Sequence, residues 1–523
     1  MFLETKSGVR GLAWPVTRRM AMGVAAVAAT LTLAFVPVSA QAQKTLTVGN
    51  PFSPLSLDPA LSGNGRAGTH LMPAYEPLVR ERADGSIEPA LALSWKVAPD
   101  LKEVIFTLRK DAKFSDGLPV NAAAVKKSLD YWRGKKGPFS VNFLTVTSID
   151  VLDEFRVSIK MSEPQPSIAA LFSGYWLAGD IISPAGVDKP DSLGTQTFGA
   201  GPYKLDPAQT ITRKSYVYVK NEHYYDKKRQ HWDKVVMTVF EDQNSAIQSL
   251  KAGQTQVLVS DPLTGNANAE SLPKDFYIVS DPVQWTGLIL LDRDGIVNPA
   301  MKDVRVRQAI NLALNRPLIA RALFGKFVDP SVQMQGKGFM GYDAANEDKY
   351  PYSLEKSKAL LAAAGHPNLT ISIGYVNNSL SVTLSQAIAA QLKRAGITVK
   401  THEYQNFGAL NASMAKKEDE ILLFNSNFGP PNIARFQTLS PKGSLNYYAT
   451  EDAELTKLIS EASKIPVDKA EAAWKKAYGR VVDLAWFAPV GATHTVYFAN
   501  KSVKMPKPGA SLVIDLINME PAQ

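Results

Sequence analysis

The segment from Leu91 to Trp132 constrains the fold of this 523-residue chain more than any other part of it. Residues 104–108 read Val-Ile-Phe-Thr-Leu, a β-branched and aromatic run of strand length. Asp116-Gly117 then favours a tight turn. Asn121 stands where a helix N-cap belongs, and apolar residues recur at helical spacing from there to Trp132. The segment therefore predicts a strand, a turn and a capped helix in succession.

Helix and strand patterns alternate along the rest of the chain. Residues 72–80 have a short helical pattern, and residues 155–161 alternate with the period of a half-buried strand. Asp303 precedes an amphipathic stretch that Pro317 ends or kinks, and Ser353 caps a helix that closes near Gly365. No internal repeat accompanies the alternation, so we expect an α/β chain with parallel or mixed sheets.

Length and composition exclude several classes of protein and of functional site. A chain of 523 residues is too long for one core, so several domains are expected. The absence of cysteine excludes disulfides, thiolate metal sites and thiol nucleophiles. The net charge of +9 comes from dispersed cations without interleaved aromatic residues, which argues against nucleic acid as a partner.

Residues 1–42 have the pattern of an export signal. A basic start is followed by an uncharged apolar run from Met20 to Val38, and small residues close it. We expect cleavage near Ala40 or Ala42 and a periplasmic mature protein. The alternative is a retained membrane anchor, because the run is close to the length that spans a bilayer.

The order of the motifs along the mature chain resembles that of a known protein family. Trp95, the strand at 104–108 and Lys113-Phe114-Ser115-Asp116-Gly117 come first, and the Gly199–Tyr203 element and the Asp303–Arg316 helix follow. The chain resembles the family 5 solute-binding proteins, the periplasmic receptors of peptide and nickel ABC importers. The resemblance extends over residues 45–505, nearly the whole mature chain.

The resemblance implies a type II periplasmic binding protein of the three-domain, cluster C kind. Two lobes joined by a hinge would carry an extra inserted domain. The implied partition is a discontinuous lobe I at 44–80, 197–292 and 500–523, an inserted domain at 81–196, and lobe II at 293–499. The stretches 285–291 and 489–497 would be the hinge strands.

The same resemblance implies a function without covalent chemistry. The protein would bind a small polar solute, such as a peptide or an opine, between its lobes and deliver it to an inner-membrane ABC permease. We expect a monomer with no cofactor. Two alternatives remain open, a secreted hydrolase on the same fold and a ligand sensor.

Motifs for catalysis, metals and nucleotides are weak or missing in the sequence. The six histidines lie far apart and form no pair spaced for one metal ion, so a nickel receptor would need a chelator to supply ligands. No Gly-x-Ser-x-Gly elbow or His-Glu metalloprotease motif is present. Two Gly-x-Gly-x-x-Gly strings start at Gly63 and Gly336, but neither follows a convincing strand. We interpret both as loops near a ligand cleft.

The stretch from Phe424 to Pro431 bears most directly on the ligand. Peptide-binding members of the family usually carry an aspartate where this chain has Asn427, and that carboxylate holds the α-ammonium group of the peptide. An amide accepts a hydrogen bond but supplies no counter-charge. The substitution weakens a peptide interpretation, unless an aspartate elsewhere in the cleft replaces it or the alignment is shifted by a few residues.

Ten residues are predicted to contact the ligand. Trp285 is a candidate stacking platform beside the hinge, with core packing as the alternative, and Arg435 is a candidate clamp for a ligand carboxylate or phosphate. The remaining candidates come from the glycine-rich loops, the Asn427 segment and scattered polar positions: Gly63, Asn64, Gln335, Tyr404, Asn425, Asn427, Phe428 and His494. No catalytic or metal-binding residue is predicted.

Overall fold

A computed structural model describes residues 43–62, 68–82, 86–137, 143–174, 178–429, 437–507, 513 and 515–522. The predicted signal peptide at 1–42, with its cleavage near Ala40 or Ala42, lies outside these residues. Within the described ranges, no helix combines the length and apolar character needed to cross a membrane.

Nineteen strands occur in the described residues, and most of them join one large sheet. In chain order they are β1 (Thr45–Asn50), β2 (Val79–Glu81), β3 (Ile87–Pro89), β4 (Ala92–Val97), β5 (Glu103–Leu108), β6 (Val146–Asp153), β7 (Arg156–Met161), β8 (Tyr203–Leu205), β9 (Ser215–Lys220), β10 (Lys234–Val239), β11 (Val257–Ser260), β12 (Phe276–Leu290), β13 (Val328–Pro330), β14 (Thr370–Val376), β15 (Thr398–Tyr404), β16 (Ile421–Asn427), β17 (Phe487–Asn500), β18 (Val503–Lys504) and β19 (Glu520–Pro521).

The α-helices pack on the faces of these sheets. They are α1 (Gly68–Leu71), α2 (Ala122–Gly134), α3 (Pro184–Val187), α4 (Gln243–Lys251), α5 (Pro262–Asn268), α6 (Val304–Leu312), α7 (Arg316–Ile319), α8 (Leu354–Ala363), α9 (Ser379–Arg394), α10 (Phe407–Ala415), α11 (Ala453–Ala462) and α12 (Glu471–Asp483).

The large sheet has two halves that share two long antiparallel strands. Its order is β15-β14-β16-β12-β17-β11-β1-β10-β9-β8, with β13 added beside β17. Strands β12 and β17 pair from Phe276 opposite Asn500 to Ile289 opposite Phe487. In one half β14 is parallel to β15 and β16, and in the other half β1 is parallel to β10 and β11. The mixed α/β character expected from the sequence is confirmed.

Strands β4 to β7 form a separate antiparallel sheet, in the order β4-β5-β7-β6. Helix α2 packs on it, and its buried Val125, Leu129 and Trp132 belong to the same apolar cluster as Phe106 of β5. Asn121 accepts a hydrogen bond from the Ala124 amide at 2.9 Å. The strand, turn and capped helix predicted from this segment are confirmed.

Among the other local predictions, two helix caps are confirmed, and two predictions are wrong. Asp303 and Ser353 cap α6 and α8, and Gly365 follows α8 with a φ of +81°. Pro317 does not end α6, which finishes at Leu312, but lies in the first turn of α7. The helix predicted at 72–80 is absent: α1 ends at Leu71 and β2 begins at Val79. Prolines at 73 and 77 explain the error, because each removes a helical hydrogen bond.

Apolar packing differs between the two faces of the β12–β17 region. Leu288, Leu290, Ile421 and Leu423 face a core built with α6, α8 and α9. Ile289 and Leu422 face the opposite way, toward a core built with α10, α11 and α12. Both faces are therefore covered over the part of the sheet near Leu290.

Candidate functional site

The carboxyl ends of three parallel strands meet at one edge of the sheet. Strands β14, β15 and β16 run in the same direction and end at Val376, Tyr404 and Asn427. Helices α9 and α10 begin beside this edge, capped by Asn378 and Asn406. Open α/β sheets bind ligands in the crevice outside the carboxyl ends of their strands. This edge is therefore one wall of the candidate site.

The other half of the sheet has a matching edge. Strands β1, β10 and β11 are parallel and end at Asn50, Val239 and Ser260. Ser260 lies opposite Val496 of β17, which in turn lies opposite Ser280 of β12. The carboxyl ends of both halves thus point toward the middle of the two shared strands.

The shared strands set the width between the two edges. Asn427, at the end of β16, lies opposite Gln284, four residues along β12 from Ser280. At about 3.3 Å per residue, the two edges are separated by about 13 Å along β12. A gap of this size suits a small solute rather than a macromolecule.

One face of the shared strands turns from apolar to polar where it approaches this gap. Asn425 lies opposite Thr286, and Asn427 lies opposite Gln284, which also lies opposite Thr493 of β17. Residues directly opposite in an antiparallel pair share a face. We call these five residues, Asn425, Asn427, Thr286, Gln284 and Thr493, the hinge polar row.

Two atoms of the hinge polar row are buried without a hydrogen-bond partner. They are the side-chain oxygen Oδ1 of Asn427 and the hydroxyl oxygen Oγ1 of Thr493. Thr493 is only 1% exposed. Buried polar atoms are normally hydrogen-bonded, and leaving one unpaired costs about 1–3 kcal/mol. An incoming polar ligand would supply the missing partners.

Charged side chains lie beside the row at the middle of the hinge. His494 contacts Asp329 through Nε2 and Oδ2 at 3.1 Å, and its Nδ1 lies 3.5 Å from the Ser280 hydroxyl. Burial raises the pKa of Asp281, while His494 and Lys507 oppose the rise. The hinge therefore offers carboxylates as well as amides.

His70 fixes the carboxyl end of β1. Its ring is fully buried, its Nε2 lies 2.8 Å from the Phe52 carbonyl oxygen and 3.3 Å from Nδ2 of Asn50, and Tyr216 packs edge-on at 4.8 Å. Burial lowers the pKa of His70 to about 4, although the bond to Phe52 opposes the change. The imidazole is therefore neutral at physiological pH and holds the strand end by hydrogen bonding.

The lowered pKa of His70 predicts a pH-dependent stability. The unfolded chain takes up a proton near the ordinary value of 6.5, so the contribution of His70 is present above that pH and is lost as the pH falls toward 4. The loss should amount to about 3 kcal/mol in the free energy of unfolding, measured by urea titration between these limits. His70→Gln should remove that part of the pH dependence, while His366→Gln, on a partly exposed residue, should keep it. Equal slopes for wild type and His70→Gln would contradict the assignment.

The structure places the predicted ligand residues in different environments. Asn425 and Asn427 are partly buried in the hinge polar row, and His494 lies beside it. Trp285 is 1% exposed, faces the opposite way and packs edge-to-face on Phe487 at 5.4 Å. Phe428 is 3% exposed and packs against Phe339 at 4.6 Å.

Two further candidates point into the protein rather than to the strand edge. The Tyr404 hydroxyl donates to Oδ2 of the buried Asp419 at 2.8 Å. Gln335 is 2% exposed and lines, with Tyr478, a cavity of about 10 Å³, which has room for about one water molecule. The remaining candidates, Gly63, Asn64 and Arg435, lie outside the described residues.

Sequence reasoning missed the buried members of the hinge polar row. Gln284, Thr286 and Thr493 lie in apolar surroundings on β12 and β17, and single polar residues in such runs carry no distinctive spacing. Their relation appears only through the register of β12 with β16 and β17. The available signal was the change from apolar to polar residues along β16, from Leu423 to Asn425 and Asn427.

Comparison with known proteins agrees with this architecture. Residues 86–444 match the family described as bacterial extracellular solute-binding proteins, family 5 Middle. The chain is 28% identical over 446 residues to the probable D,D-dipeptide-binding periplasmic protein DdpA of Escherichia coli K12, covering 80% of this chain and 82% of that one.

Two solved structures share the fold over 92% of this chain. The periplasmic binding protein DppA of Helicobacter pylori, in complex with the peptide STSA, gives a TM-score of 0.78 at 22% identity over 99% of its own chain. AgaA of Agrobacterium tumefaciens R10, in complex with agropinic acid, gives 0.77 at 24% identity, also over 99% of its chain. Both likenesses bear on the fold, which is that of a type II periplasmic binding protein.

Proposed function

This chain belongs to the bacterial extracellular solute-binding proteins of family 5, and we propose that the hinge polar row forms the floor of its ligand cleft. The protein is a periplasmic solute-binding component of an ABC importer. Its ligand would be a small polar solute, such as a peptide or an opine. The names of the D,D-dipeptide-binding relative and of the agropinic acid complex support these two ligand classes.

The protein would work by closing on its ligand. A solute that touches both strand edges stabilises the closed state, and its greater affinity for that state drives closure. The closed form would then dock on an inner-membrane permease and release the solute. No covalent step is involved, and the mature protein would act as a monomer after signal-peptide cleavage near Ala40 or Ala42.

The sheet pairing supports the proposed partition into lobes. Strands β4 to β7, within the proposed insertion at 81–196, pair only with one another among the described strands. Strands β13 to β16 fall in the proposed lobe II at 293–499, and β1 and β8 to β11 fall in the proposed lobe I. Strands β12 and β17 contain nearly all of the two proposed hinge stretches.

The Thr493 hydroxyl, which has no hydrogen-bond partner, is the main observation in support of a ligand cleft at the hinge polar row. It lies in register with Gln284 and Asn427, at the carboxyl edge of the sheet half that contains β14 to β16. A structural threonine would use its hydroxyl within the protein. A threonine that binds a ligand leaves the hydroxyl free until the ligand arrives, so this residue allows binding and folding to be tested separately.

Thr493→Val should weaken ligand binding without weakening the fold. Valine keeps the shape and removes a buried hydroxyl that has no partner, so the unliganded variant should melt at or above the wild-type temperature. Dipeptides, opines, sugars and chelated metals are screened by thermal shift on wild type. The affinity for the ligand with the largest shift should then fall about tenfold in the variant, as measured by calorimetry.

The matched control is Thr107→Val on β5, in the separate antiparallel sheet, which should bind as wild type does. Wild-type affinity in Thr493→Val would remove the hinge polar row from the cleft. No thermal shift with any compound of the panel would count against solute binding itself.

A further inference from the structure

A second cavity is lined by residues of the proposed lobe I and of the proposed insertion. It is open to solvent, and its volume of about 140 Å³ is close to that of cavities that bind benzene. Its described lining includes residues 68, 72, 75–77, 80–82, 88, 174, 180, 229, 507, 513, 515, 517 and 518. None of these residues belongs to the hinge polar row, but Lys507 also acts electrostatically on Asp281 of β12.

The three arginines of this cavity already have anionic partners, while Lys507, the fourth cation of the described lining, has no ion pair among the described residues. The Arg80 guanidinium donates to Glu76 and to the Tyr225 hydroxyl, and Arg229 lies 3.9 Å from the same Glu76 carboxylate. Tyr224 donates to the second oxygen of Glu76 at 3.0 Å. Arg82 pairs separately with Glu88 at 2.9 Å. These paired guanidinium groups are poor receptors for an added anion.

The Asp180 carboxyl group, by contrast, has no cationic partner among the described residues. Its side chain is 2% exposed and lines the cavity, and no hydrogen bond or ion pair reaches its carboxylate among the described residues. Burial, reinforced by the nearby Glu76 carboxylate, raises the pKa of Asp180 well above its usual range. Burial also raises the pKa of Glu81, a second carboxyl on the cavity wall, to about 7. The cavity wall therefore holds one buried carboxyl group, that of Asp180, without a counter-charge among the described residues, and a second, half-buried carboxyl group, that of Glu81.

We propose that this cavity binds an organic cation, a primary ammonium or guanidinium group on a short carbon chain, with Asp180 as its counter-ion. A buried carboxylate gains most from a charge-assisted hydrogen bond to such a group. Met72, Tyr75 and Ile517 supply apolar wall for the carbon chain. A metal ion fits less well, because no group of three or more metal-ligating side chains occurs in the described part of the chain.

The test uses agmatine, which carries an ammonium group and a guanidinium group, with the whole mature protein in a calorimeter. Wild type should bind agmatine saturably, and Asp180→Asn should weaken binding at least tenfold. Glu81→Gln should weaken it as well and covers the case in which Asp180→Asn fails to fold. Asp188→Asn, on an exposed aspartate of the same region, should bind as wild type does.

Two outcomes would overturn the proposal: no saturable binding of agmatine to wild type at millimolar concentration, or unchanged affinity in Asp180→Asn. Thr493→Val separates this site from the cleft. Agmatine binding that survives Thr493→Val and is lost in Asp180→Asn places the cation in this cavity, whatever the cleft binds. Loss in Thr493→Val alone would place agmatine in the cleft and overturn the proposal.

Discussion

Replacing Gly287 by alanine is expected to destabilise the protein more than any other single substitution considered. Gly287 has a φ of +152° at an irregularity in the β12–β17 pairing. A Cβ atom there would lie 2.5 Å from Cα of Pro489 and 2.7 Å from the Ala488 carbonyl oxygen, both in the backbone of β17. The two shared strands would have to separate, at a cost of about 3 kcal/mol or more in the free energy of unfolding.

Urea denaturation monitored by circular dichroism measures this loss, as a lower midpoint with an unchanged slope. Gly134→Ala is the matched control. Gly134 ends α2, a Cβ there would meet no atom within 4 Å, and alanine favours helix, so that variant should be as stable as wild type or slightly more stable. Equal midpoints for Gly287→Ala and Gly134→Ala would show that the hinge strands tolerate displacement.

Local sequence patterns predicted those helices and strands that are determined by residues close to one another in the sequence. The Asn121 cap, the apolar face of α2 and the strand before it are determined by neighbouring residues, and the structure has them where the sequence indicates. Strand β12 is different. It begins at Phe276 and runs through Asp281 and Pro282, residue types that argue against a strand. A register shift between Pro282 and Gln284 accommodates the proline, and pairing with β17 overrides the local preference.

The candidate site was only partly predictable for the same reason. Asn425 and Asn427 were predicted because they lie in the stretch at 424–431, where the resemblance to the family places a ligand-binding aspartate. Thr493 lies on β17, far from Gln284 in sequence. Only the strand register, which places it opposite Gln284, identifies it as a candidate ligand-binding residue. Trp285 was predicted to contact the ligand, but the structure places it in the core. It lies next to Gln284 in sequence, yet successive strand residues point to opposite faces, so the indole enters the core beside Phe487.

The second large effect is expected at Asn427, where the chain departs from the peptide-binding pattern. The amide oxygen Oδ1 of Asn427 is buried without a partner. It accepts a hydrogen bond but carries no charge, so a ligand ammonium group placed there stays electrostatically uncompensated. Asn427→Asp restores the charge and should raise the affinity for a dipeptide with a free α-ammonium group by about ten- to a hundredfold.

Calorimetry with a dipeptide and its N-acetylated analogue measures this change. Acetylation removes the positive charge, so the variant should prefer the free dipeptide while wild type discriminates less between the two. Equal affinities of the variant for both compounds would exclude contact between position 427 and the ligand ammonium group. Strong preference of wild type for the free dipeptide would instead assign the counter-charge to another carboxylate, and Asp281 at the middle of the hinge is the first to replace by asparagine. Asp281 is partly buried near His494, where its carboxyl group could pair with a ligand ammonium group. Comparing Asn427→Asp with Asp281→Asn therefore shows which of the two residues selects the ligand.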